Sequence, residues 1–202
     1  MGRPVTSGMT STTTEPAIVH VTEQPVAVIH GVVPMTELPE FFDRSFTTIM
    51  QVLNSQGVAI TGAAFARYHG PPGEVADLEL GVPVDKMVAA EAGVQPGSLP
   101  AGPVARLVHR GAYEQLATSW GQLGSWLESR GHAPSSDMWE VYETEPTPDM
   151  NPDDLRTELN WPIMQTREDT RPGHPEAELL VSTEAGAPTS WEQALGQLTV
   201  GG

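Results

Sequence analysis

Apolar positions alternate with polar ones through residues 17–30, AIVHVTEQPVAVIH, and β-branched side chains dominate the run. It reads as a strand pair or one long bulged strand, with Pro25 at an edge or a break. The period then lengthens. Leu38, Phe41, Phe42, Ser45, Ile49 and Val52 fall on one stripe, Thr36 is placed to cap it and Gly57 to close it, which predicts a helix over 36–55. Residues 58–69, VAITGAAFARYH, read as a strand, GPPG at 70–73 as a turn, and 74–84 as a second strand carrying Val75, Leu78, Leu80, Val82 and Val84. The pattern then returns: VARLVH at 104–109 is strand-like, 113–130 is helical with Leu116, Trp120, Leu123 and Leu127 at helix spacing, and MWEVYE and LRTELNWPI are strands.

The return is a repeat in detail. The helix exits match, Ser55-Gln56-Gly57-Val58-Ala59 beside Ser129-Arg130-Gly131-His132-Ala133. Ala66-Arg67-Tyr68-His69 stands beside Glu140-Val141-Tyr142-Glu143, and Glu79-Leu80-Gly81-Val82-Pro83-Val84 beside Glu158-Leu159-Asn160-Trp161-Pro162-Ile163. Each half runs strand, helix, strand, strand, and neither can bury its apolar stripe alone. The expected fold is α+β: a duplicated strand–helix–strand–strand unit whose halves, about 17–84 and 102–163, pack about a pseudo-twofold axis with a groove between them. Tyr68 is then related to Tyr142, His69 to Glu143 and Glu79 to Glu158. Residues 1–16 read as a flexible Ser/Thr-rich arm, 17–163 as the folded domain, and 164–202 as a polar tail, partly disordered or covering, with a short helix around Trp191–Leu198.

Charge narrows the function. The net charge of −16 argues against direct nucleic-acid binding, which needs Lys and Arg for phosphates, and fits a cationic ligand or a basic protein partner. Without cysteine there is no disulfide, thiolate catalysis or Cys-type metal site, and the scattered histidines suggest no metal or cofactor. No apolar run approaches the roughly 18 residues of a membrane span. The N-terminus lacks a signal core, so a cytoplasmic protein is expected.

The candidate chemistry lies in residues 137–163, where two tryptophans, a tyrosine and several carboxylates share one hairpin. Glu is unusual in strands, and beside Trp and Tyr it suggests an aromatic-walled, negatively charged site for a lipophilic cation. The plainer alternative is an edge hairpin with solvated Glu. Trp139, Val141 and Glu143 share one strand face, Met138, Glu140 and Tyr142 the other; both mix aromatic and acidic residues, so alternation does not say which lines the groove. Tyr113 and Tyr142 read equally as core residues or ligand contacts, Trp120 as core, Trp126 as lying off the main stripe, and His69 as a turn histidine.

The Tyr-Glu of MWEVYE, the RTELNWPI strand, the VHRGAYEQL entry to the second helix and the duplicated order resemble the GyrI-like effector-binding domains. These occur in multidrug-sensing transcription regulators of the MerR and AraC types and as stand-alone proteins. The resemblance covers about residues 17–163. It implies a curved antiparallel sheet, two long helices and a ligand pocket at the pseudo-twofold axis. It places Glu143 inward as the carboxylate that neutralises a lipophilic cation, with Tyr68, Trp139, Tyr142 and Trp161 as stacking partners and Glu158 as a pocket carboxylate or a structural partner. The short N-terminal arm leaves no room for a helix-turn-helix, so a stand-alone member is expected.

Three functions follow as expectations. The first is sequestration of a lipophilic or aromatic drug or toxin, cationic or neutral, by Tyr68, Tyr113, Trp139, Tyr142, Glu143, Glu158 and Trp161. The second is a hydrolase that adds water to a cyclopropane-type alkylating toxin, with Glu143 and Glu158 as catalytic carboxylates. The third is an acidic protein-interaction module, such as a gyrase modulator.

Overall fold

The computed structural model describes residues 15–144 and 150–164. The expected arm, apart from its last two residues, and the expected tail beyond Met164 lie outside the described residues. The chain runs β1 (Ala17–Val21), β2 (Gln24–Pro34), α1 (Leu38–Gln56), β3 (Phe65–His69), β4 (Val75–Pro83), β5 (Gln95–Leu99), β6 (Gly102–Arg110), α2 (Leu116–Ser129), β7 (Asp137–Tyr142) and β8 (Arg156–Pro162). The strands form one antiparallel sheet in the order β1-β6-β8-β7-β3-β4-β2-β5.

Two short connections impose the shape. Thr22-Glu23 joins edge strand β1 to β2, which lies next to the opposite edge, and Pro100-Ala101 joins the other edge strand, β5, to β6. Two residues reach only about 7 Å, little more than the spacing of neighbouring strands. The edges must therefore come together, and the sheet curls into a half-barrel. The paired crossings travel side by side, Val21 opposite Gly102 and Gln24 opposite Leu99.

Strand alternation gives the curl two different faces. On the outer face, both helices pack over Ala66, Tyr68, Leu78, Leu80, Ala105, Leu107 and Leu159; α1 contributes Phe41 there, and α2 Leu116, Trp120, Leu123 and Leu127. The far end of α1 adds Ile49, Val52 and Leu53 over Ala27, Val82 and Val94. The inner face holds Val26, Val28, Phe65, Leu99, Val104 and Trp139.

The repeat is present in register as well as in order. Read from either end, β6-β8-β7-β3-β4-β2 interchanges the halves. Arg67 lies opposite Glu79 in one half, and Val141 opposite Glu158 in the other, as the sequence alignment requires. Ala66 and Glu140 are equivalent in the repeat and are also direct cross-strand partners, so the pseudo-twofold axis passes between them.

Local departures have local causes. Thr36 does not cap α1: it lies in a 3-10 turn, Met35–Glu37, and Glu37 enters the helix without a side-chain cap, with Pro39 in the first turn. Gly57 does close α1 in the left-handed conformation, at φ 61°. The strand expected from 58 starts only at Phe65, because the chain first passes beside the end of β4, with Ala59 N–H on Asp85 and Ile60 bridged to Val84. Strand β5, QPGSL, was not expected; it carries Pro and Gly without alternation and is formed by pairing with β2 at the sheet edge.

Gly81 lies where β4, β2 and the inner core meet. A Cβ there would fall 2.5 Å from the Ala27 carbonyl oxygen and 2.7 Å from a Val28 methyl. Gly81→Ala is expected to destabilise the fold by about 2 kcal/mol in urea unfolding, since backbone cannot yield as a side chain can; an unchanged midpoint would show that β2 and β4 can separate freely.

Candidate functional site

Strand β7 carries the site because its alternation turns Met138, Glu140 and Tyr142 toward the helices. Glu140 stands opposite Leu159 of β8 and Ala66 of β3, and the small side chain of Ala66 leaves room over the axis. Glu140 is only 6% exposed. Its Oε1 accepts from Trp120 Nε1–H of α2 at 2.9 Å, and its Oε2 accepts from the Tyr142 hydroxyl at 2.9 Å. None of the ion pairs among the described residues involves it. Burial pushes the Glu140 pKa up, and the Trp120 and Tyr142 donors offset that only in part.

Aromatic rings enclose this carboxylate. Tyr142 meets Phe42 of α1 and Tyr113 edge-on, each at 6.0 Å between centroids, and Trp120 meets Trp161 edge-on at 5.7 Å. Burial, then the negative charge of Glu140, raise the pKa of Tyr68 and Tyr142 well above the usual tyrosine value and that of Tyr113 above it. All three tyrosines therefore stay neutral at physiological pH, so they can offer hydrogen-bond donors and ring faces. Tyr113 lies in the turn before α2 and is partly exposed, which gives the cluster a side open to solvent. That turn is pinned by buried His109, whose Nε2–H donates to the Ala112 carbonyl while Nδ1 accepts from Ser119; the tautomer follows from this network.

The expected residues divide between the faces. Tyr68, Tyr142, Tyr113 and Trp161 come together around Glu140. Glu143 does not: it lies past the end of β7, exposed, with its backbone N–H on the Arg156 carbonyl. Opposite parity to Glu140 and Tyr142, and a position where the hairpin opens, keep it out of the cluster. Trp139 is buried on the inner face. Glu158 is also on that face, paired with Arg106 Nη2 at 3.1 Å. His69 faces Asp137 and Glu79, at 3.6 and 3.7 Å, rather than Glu143. Glu140, Trp120 and Phe42 are the members of this aromatic–acidic cluster that sequence reasoning did not assign to a candidate site. The available signal was the alignment itself: if Tyr68 and Tyr142 share the groove, strand period puts Glu140 there.

The sequence matches the family described as GyrI-like small molecule binding domain over residues 14–164. No curated protein matches it significantly. Among solved structures, the fold is similar to EcmrR in its DNA complex, with TM-score 0.68 and 20% identity over 75% of this chain; the match spans only 58% of that protein. It is similar to the separate EcmrR C-terminal domain, with TM-score 0.67 and 19% identity, covering 75% of this chain and 98% of that one. It is also similar to SAV2435 bound to tetraphenylphosphonium, with TM-score 0.54 and 13% identity, covering 75% and 94%.

The raised pKa of Glu140 makes stability pH-dependent. The folded state holds this proton more tightly than the unfolded chain, so the contribution is complete below the ordinary value of 4.5 and is lost as pH climbs through the raised one. In Glu140→Gln, the amide oxygen can accept from Trp120 while the amide group stays neutral. Denaturant melts from pH 4 to 8 should show wild type losing stability relative to the variant as pH rises. Parallel curves would mean that Glu140 titrates as in the unfolded chain.

Proposed function

The chain belongs to the family of GyrI-like small molecule binding domains, and on that premise we propose that it binds a lipophilic aromatic cation over Glu140 and thereby sequesters a drug or toxin. The observation that carries this reading is the state of Glu140: a buried carboxylate at the pseudo-twofold axis, held by two neutral donors, with no cation among the described residues paired to it. Nearby carboxylates on the central strands are compensated, Asp137 and Glu79 by Arg67 and Glu158 by Arg106. A bound cation would supply the missing charge, and Tyr68, Tyr113, Tyr142, Trp120 and Trp161 would offer ring faces and edges. A cation over a ring contributes about 0.5–2 kcal/mol, more as water is excluded. That SAV2435, a protein of similar fold, holds tetraphenylphosphonium supports the choice of ligand class.

A second reading, addition of water to a strained electrophilic ring, rests on the raised Glu140 pKa. A carboxyl group whose pKa burial raises suits general acid–base work in an aromatic slot.

Tryptophan-fluorescence titration with tetraphenylphosphonium separates the assignments. Wild type should bind more tightly as pH rises, because the cation favours ionised Glu140. Glu140→Gln should weaken binding roughly 30-fold or more, as removal of one partner from a buried charge pair costs about 2 kcal/mol or more. Glu143→Gln should stay near wild type. Equal affinities for wild type and Glu140→Gln would overturn the assignment. Mass spectrometry of flat electrophiles after incubation tests the second reading: a gain of one water, absent with Glu140→Gln, would make the protein a hydrolase.

A further inference from the structure

We propose that the inner face of the curled sheet carries a second, independent site that takes a small zwitterion of the amino-acid type. A cavity of about 160 Å³ opens there, away from both helices. That is room for about five waters or a small organic molecule. Its walls are Phe65, Leu99, Trp139 and Val141, and its polar side is the Arg106–Glu158 pair.

The pair is held as a fixed two-charge receptor. Asn160, fully buried, accepts the Arg106 Nε–H through Oδ1 at 2.9 Å and donates through Nδ2 to Glu158 Oε1 at 3.1 Å. Arg106 Nη2 closes the triangle on the same Glu158 oxygen. Among the described residues, Arg106 Nη1 and Glu158 Oε2 make no hydrogen bond, so each charged group keeps one free position. The other half of the repeat shows the contrast. Arg67 is consumed, with Nη2 on Asp137 at 2.6 Å and Nη1 near Glu79 and the Ser98 carbonyl. The position equivalent to Arg106 is Val28, because Val108 and His30 lie opposite the equivalent residues Glu158 and Glu79. The second half therefore places at the cavity an arginine that the first half replaces with an apolar core residue.

A lone anion would meet Glu158 and a lone cation would meet Arg106, and each would be repelled. A molecule carrying a carboxylate beside an ammonium satisfies both, with the carboxylate on Arg106 Nη1 and the ammonium on Glu158 Oε2. The apolar wall then receives an aliphatic side chain.

The test uses the full chain and three probes of one shape: L-leucine, isoamylamine, which lacks the carboxylate, and 4-methylpentanoate, which lacks the ammonium. Amide chemical-shift mapping with L-leucine should give saturable shifts at Val141 and Glu158, with at least about tenfold weaker response to either truncated probe. Arg106→Gln should abolish the shifts. Ala63→Trp, which fills the cavity rim and leaves the ion pair intact, should do the same while tetraphenylphosphonium binding is retained. No saturable shift with L-leucine at tens of millimolar would overturn the proposal. So would equal binding of a truncated probe, or shifts centred on Glu140 and Tyr142.

Discussion

The ladder between β3 and β7 is the seam on which the molecule depends. Among the described residues it is the only direct strand pairing between the two repeated halves in the middle of the sheet, five residue pairs from Phe65–Val141 to His69–Asp137. The two-residue crossings at the edges then hold the curl. Because the ladder is antiparallel and symmetric about Ala66–Glu140, whatever points toward the helices there is presented twice, once from each half. Tyr68 and Tyr142 are such a duplicated pair. Ala66 and Glu140 are the pair that broke symmetry, one becoming small and the other charged.

That broken symmetry places a carboxylate in a buried position, where solvation is poor. A charge in such a position must be paired, hydrogen-bonded or neutralised. The fold provides two neutral donors, Trp120 and Tyr142, and no cation among the described residues. The raised pKa of Glu140 is the result, and it is also what makes the site responsive: the same environment that disfavours the free anion strengthens its attraction to a cation that brings its own apolar surface.

Much of this was legible in the sequence. Matching helix exits, the related ARYH and EVYE segments and the matching fourth strands gave the duplicated unit, and the observed register agrees at Arg67–Glu79 and Val141–Glu158. The aromatic–acidic cluster around Glu140 was half legible. Tyr142 and Glu143 were both expected in the groove, yet neighbours on a strand point to opposite faces, so one had to be out. The Tyr68–Tyr142 relation favours Tyr142, and with it Glu140. Glu143 was placed inward by the family resemblance, not by strand parity. Trp120 was read as core, correctly for its ring; its indole N–H reaches across to a carboxylate 20 residues away, a contact that helix periodicity cannot reveal. Strand β5 was illegible for a different reason: its five residues acquire strand geometry from β2 rather than from their own pattern.

The two faces of the sheet solve opposite electrostatic problems with the same residue types. On the inner face, Glu79 and Asp137 meet Arg67 and Glu158 meets Arg106, so each carboxylate has an internal counter-charge. On the outer face, Glu140 meets only aromatic donors among the described residues, and its charge stays available. The strongly acidic net charge sharpens this difference, since it raises the local concentration of cations around the whole molecule. A duplicated fold is well suited to such a division. Each half needs only one working set of strand pairings, so positions at and around the axis are free to diverge, and divergence of a single pair, Ala66 and Glu140, is enough to turn a structural seam into a charged, aromatic-walled site.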